Sequence, residues 1–128
     1  MSGWRSREVR AFRSALSGVA DALRSERHMK FHAVAAAIVL MLGIALEVTK
    51  GEWLWLLAAI SAVWVAELIN TAVERTVDLA SPDVHPLAKA AKDSAAGAVL
   101  VASIFAALVG LIVLGPPLWR IFLAIRNG

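Results

Sequence analysis

Apolar and polar positions recur with helical spacing over residues 4–25, then give way to three long apolar runs. In the first stretch Val9, Phe12, Leu16, Val19 and Leu23 share an arc of about 80°, with Arg7, Arg10, Arg13 and Arg24 on the other side. An apolar stripe opposed by arginines predicts an amphipathic helix lying in the headgroup plane of a membrane. Gly18 marks a bend or a close contact within it. The apolar runs predict membrane spans over about 29–48, 53–79 and 89–115. A tight polar turn, Glu47 to Glu52 with Gly51, joins the first two. Pro82 and Pro86 break the chain before the third, and Pro116-Pro117 with Trp119 close it. The prediction is an all-α membrane protein, residues 1–128 forming one domain of a surface helix and three spans. Small residues recur every four positions, at Ala58, Ala62 and Ala66 and again at Ala98, Ala102, Ala106 and Gly110. Such stripes let helices approach closely in lipid and predict contacts with other copies of the chain.

Composition agrees. Hydrophobic residues make up 59% of the chain, too many for an ordinary soluble domain of this size. The lack of Cys excludes disulfides and thiolate metal sites, and no removable signal peptide is expected. Seven of the thirteen Lys and Arg precede the first apolar run. Arg75, Lys89 and Lys92 lie around the second loop, whereas the first turn has only Lys50. Both the N-terminus and the second loop are therefore expected on the cytoplasmic side, with the C-terminus outside. A basic arm could also suit nucleic acid, but no base-stacking platform accompanies it.

The second span ends in acids. Glu67, Asn70, Glu74 and Asp78 stand at i, i+3, i+7 and i+11, one stripe about 16 Å long. A carboxylate at bilayer depth costs about 2.5–3.5 kcal/mol on insertion scales, so an intramembrane acid is a functional candidate by default. Lys92-Asp93 opens the third span at a similar depth, and Glu26 just precedes the first. Crowded carboxylates in a poorly solvated site must be protonated or bridged by a cation. Oxygen ligands favour a hard ion such as Mg²⁺, completed by water or phosphate. A carboxylate left free and desolvated would make a general base. No Walker A loop, kinase glycine loop or dinucleotide fingerprint is present. On these residues phosphoryl transfer at the membrane surface stands only slightly above a proton or cation pathway, which would need acids at more than one depth. An assembly or scaffold subunit is a third reading. Structurally, Glu67 and Glu74 could instead pair with Arg75 or Lys92.

Residues Glu67–Asp78 read E-L-I-N-T-A-V-E-R-T-V-D. At every fixed position they resemble the signature of the small prokaryotic diacylglycerol kinase family: E, any residue, aliphatic, N, S/T, small, aliphatic, E, two free positions, V, D. The resemblance extends to Glu26 and to Ala-Lys-Asp at 91–93. It implies a homotrimeric integral membrane lipid kinase of the prokaryotic inner membrane, using MgATP at active sites shared between subunits. Position by position it implies Glu67 as general base, Glu26 and Glu74 as Mg²⁺-bearing carboxylates, and Asn70 as part of the site's polar network. It further places Asp78, Asp83, His85, Lys92 and Asp93 about the nucleotide, with Arg7 as a basic contact from the surface helix. The E-R-x-M-K pattern at 26–30 and S-A-A-G-A-V-L at 94–100 are similar to the Gram-positive branch, whose members mainly phosphorylate undecaprenol; diacylglycerol is the alternative. His28 stands where that branch usually has Asn, and no Tyr is present where some relatives place a ring near the nucleotide. His32 reads as an interfacial packing residue, Glu47 and Glu52 as solvated turn residues, and Trp53, Trp55, Trp64 and Trp119 as belt or packing residues.

Overall fold

A computed structural model describes residues 2–128, which form four helices: α1 (Ser2–Ser25), α2 (Arg27–Ala45), α3 (Lys50–Ala80) and α4 (Pro86–Asn127). Only Glu26 separates α1 from α2, in an extended conformation as the N-cap of α2. α1 runs without a break through Gly18, where an added Cβ would meet nothing within 4 Å, so no close contact within the chain explains that glycine. Three helices, α2, α3 and α4, are long and apolar enough to cross a membrane.

The α2–α3 turn is shorter than the sequence reading places it. Glu47 takes the left-handed conformation, at φ 52°, and Gly51 already lies inside α3. Thr49 caps α3: its hydroxyl accepts from the Glu52 N–H while the Glu52 carboxylate accepts from the Thr49 N–H. Glu52 thus closes a capping box, holding two amides that would otherwise lack partners. His85 starts α4 in a related way, its Nδ1 accepting from Leu87 N–H at 3.1 Å, with Pro86 at the first helical position. At the far end the expected stop at Pro116-Pro117 is not a helix end. α4 continues through both prolines to Asn127, 42 residues in all, or about 63 Å at 1.5 Å per residue against a hydrocarbon layer of about 30 Å. The prolines remove two backbone donors from one turn, and the helix continues over Leu118–Ile125, apolar but for Arg120.

α4 packs chiefly along α3. Leu56 and Ala59 of α3 meet Val109, Val113 and Leu114 of α4, and Val39, Leu42 and Leu46 of α2 close over them. This core occupies the N-terminal half of α3 and leaves the signature at the opposite end. Beside this core the ring of Trp53 fills the space that a side chain at Gly43 would need. Trp53 is thereby a packing residue between α2 and α3. A Cβ at Gly43 would lie 2.6 Å from Trp53 Cη2, and overpacking of this kind costs about 1–3 kcal/mol. Gly43→Ala is therefore expected to lower the thermal midpoint in detergent. Gly97→Ala, with nothing within 4 Å of its Cβ, is expected to leave the midpoint unchanged or raised.

Candidate active site

Helical spacing puts the signature stripe on one side of α3, and burial falls along it. Glu67 is 4% exposed, Asn70 and Glu74 are half-buried, and Asp78 at the helix end is exposed. Glu67, Asn70 and Glu74 line a cleft of about 470 Å³ with His28 and His32 of α2. Its far wall comes from α4: Ala96, Val99, Leu100 and Ser103. Antiparallel packing of α3 on α4 brings this uncharged wall opposite the acids.

Polar contacts inside the cleft are few and specific. His32 Nε2 lies 3.0 Å from Glu67 Oε1. Asn70 Nδ2 donates to Glu74 Oε1 at 3.1 Å, while Asn70 Oδ1 is buried without a protein partner. A buried acceptor left open is an invitation to a ligand donor. Neither Glu67 nor Glu74 pairs with Arg75 or Lys92, the structural alternative considered for them. Arg75 reaches the other way, to Asp21 at 2.5 Å, Ser25 at 2.8 Å and Glu26 at 3.5 Å, and so fastens the end of α1 to α3. Lys92 pairs with Asp78.

The remaining candidates fall into three places. Asp78, Asp83, His85, Lys92 and Asp93 all line a second cleft of about 280 Å³, between the end of α3, the loop and the start of α4. Within it Lys89 Nζ holds Asp93 at 2.5 Å, one helical turn away on α4. Glu74 and Asp78 are also one turn apart, about 6 Å along the α3 axis, which sets the two clefts next to each other. Glu26 lines neither. It sits at the α1–α2 joint, its Oε1 taken by Ser25 at 3.3 Å and by Arg75. Arg7 is exposed on α1, its Nε donating to the carbonyl of Gly3 at 3.1 Å, and it lines neither cleft.

The family model described as prokaryotic diacylglycerol kinase matches residues 13–114, from the middle of α1 to the last part of the α3–α4 core. The chain belongs to the prokaryotic diacylglycerol kinase family. It is accordingly an enzyme of the lipid-kinase class and a membrane protein. Arg7 falls outside the matched stretch; every other candidate lies within it. The chain is 42% identical over 113 residues to the undecaprenol kinase of Bacillus subtilis, covering 88% of this chain and 92% of that protein. It is 39% identical over 109 residues to a diacylglycerol kinase of Synechocystis, covering 84% and 62% of the two chains. With the diacylglycerol kinase of Escherichia coli K12 it shares 28% over 109 residues, covering 85% and 89%.

Two polar residues of the cleft, His32 and Ser103, escape the sequence reading as site residues. His32 was expected only to pack, although His28 and His32, four apart, must share a helix face. Ser103 lies nine residues beyond the third span's uncharged start, with nothing in its neighbourhood to single it out among small residues.

Proposed function

We propose that the chain transfers the γ-phosphoryl group of ATP to the hydroxyl of a membrane lipid alcohol, with undecaprenol as the preferred acceptor. The observation that carries this is the buried Glu67 carboxylate beside an uncharged wall, at the deep end of an acid stripe that leads to a cleft of mixed charge. Glu67 takes the proton of the lipid hydroxyl. The hydroxyl oxygen then bonds to the γ-phosphorus as the bond to the β-bridging oxygen breaks, and ADP leaves with that electron pair. No phosphoenzyme is needed, and catalysis rests on positioning and electrostatics. Lys92 meets phosphate oxygens from the second cleft, and Asp78, Asp83, His85 and Asp93 border the nucleotide there.

Glu74 and Glu26 are the carboxylates proposed to hold Mg²⁺. Their oxygens are the donors a hard cation takes, and Asn70 already fixes one Glu74 oxygen. Among the described residues no three His, Asp or Glu side chains gather as a metal cage, so an ion held by these two carboxylates would need its other ligands from water and phosphate. When bound, Mg²⁺ would neutralise charge on the transferring phosphate. To hold the ion Glu26 would have to leave Arg75, which would still fasten α1 through Asp21.

The finer architecture belongs to the same reading. α1 is a surface helix: Val9, Phe12 and Leu16 are exposed on its apolar side, the face that a bilayer interface would cover. The chain lies in the cytoplasmic membrane with its N-terminus and both clefts on the cytoplasmic side. It assembles as a homotrimer, an arrangement that would cover the exposed apolar faces of α3 and α4 and complete each site from a neighbour. The relative named undecaprenol kinase, aligned over most of both chains, supports undecaprenol as acceptor. The relatives named diacylglycerol kinase keep that lipid as the alternative. Purified protein in mixed micelles with labelled ATP tests the choice. Undecaprenol is expected to be labelled in preference to diacylglycerol; the reverse preference would move the protein to phosphatidate synthesis, and labelling of neither would sink the kinase reading.

A further inference from the structure

We infer that His32 is a positioning residue for the proposed base: its Nε2–H holds Oε1 of Glu67 and leaves Oε2 to face the lipid hydroxyl. This rests on Glu67 acting as the base. Glu67 is 4% exposed, and among the described residues its ion-pair partner is His32, with Nε2 3.0 Å from Oε1. A buried glutamate with three rotatable bonds between Cα and its carboxylate and no partner would turn between several orientations, and reactivity falls steeply when a reacting group strays. The imidazole borders both the acid cleft and a separate apolar cavity of about 90 Å³ lined by Ala36, Val39, Val63 and Trp64. The Phe31 ring meets it edge-on, with centroids 5.4 Å apart. Among the described residues no lysine or arginine pairs with the carboxylate: Arg75 is held by Asp21 and Glu26, Lys92 by Asp78, and the α4 wall is uncharged. What remains on α3 is Asn70 and Glu74, already bonded to each other, and His28 on α2.

The geometry separates positioning from packing. A glutamine can place its amide nitrogen where histidine places Nε2, an asparagine is one methylene short, and a leucine fills the space without a donor. In mixed micelles at saturating lipid, His32→Gln is expected to keep kcat within about three-fold of wild type, whereas His32→Asn and His32→Leu lose about 10–100-fold, as for a reacting group displaced by an ångström or so. KM for MgATP is expected to stay within about two-fold in all three, because the nucleotide cleft does not contain His32. Wild-type kcat in His32→Leu, or a glutamine variant as slow as the asparagine one, overturns the inference. The Gln–Asn comparison decides the matter even where the leucine variant does not fold. Glu67→Gln, assayed alongside, separates the two failures: if that variant keeps wild-type turnover, the base assignment itself falls, whatever His32 does.

Discussion

Glu67→Gln is expected to bind MgATP as the wild type does and to lose turnover by about 100- to 10,000-fold, the usual worth of a positioned general base. The substitution keeps volume and keeps an oxygen for His32 Nε2–H to meet, so the packing around a residue that is 4% exposed is disturbed little. What it removes is the lone pair that takes the hydroxyl proton. The depth of Glu67 makes the test clean, because water has poor access to stand in for the missing base between α2, α3 and the α4 wall. Nucleotide affinity should survive, since Lys92, Asp78 and the α3–α4 loop form a different cleft. The check is single-turnover phosphate transfer at saturating lipid, with MgATP binding measured on the same preparation. Turnover near the wild-type rate would remove Glu67 from the chemistry.

The fold was largely legible because its signals are long and redundant. Three apolar runs flanked by charge give α2, α3 and α4, and the alternation over residues 4–25 gives α1. The misplacements came from local rules applied without context. Gly51 looks like a turn residue, yet Glu47 takes the positive φ, and Thr49 with Glu52 begins α3 earlier than the apolar run suggests. Pro116-Pro117 looks like a terminator, yet α4 passes through it. At the site, the stripe on α3 was legible because spacing on one helix fixes a face. What spacing could not supply is the partner from another helix. His32 became visible beside Glu67 only when α2 was laid on α3, and Arg75, a free position in the signature pattern, became the fastening of α1 only through Asp21 and Glu26. Gly43 likewise acquires its meaning from the Trp53 ring across the helix pair.

Asn70→Leu is expected to lose about 10–100-fold in apparent Mg²⁺ affinity, the usual cost of losing a partner that orients a metal-binding group. Glu74→Ala is expected to lose more, because it removes the proposed ligand itself. Nδ2 of the Asn70 amide donates to Glu74 Oε1 at 3.1 Å, which holds one oxygen of a carboxylate that lines the cleft. Without that bond Glu74 is free to swing on its long side chain, and each occupancy of the productive orientation must be won against lost rotamer freedom. Asn70 also leaves Oδ1 buried and open, so leucine there deletes one acceptor that a bound ligand would satisfy. Raising the free Mg²⁺ concentration should restore much of the Asn70→Leu rate, by mass action, and little of the Glu67→Gln rate. A Mg²⁺ titration of phosphate transfer in both variants provides the measurement. If Asn70→Leu shows the wild-type Mg²⁺ midpoint with reduced maximal rate, Asn70 serves the lipid or the phosphate rather than the metal carboxylate, and the open Oδ1 becomes its working atom.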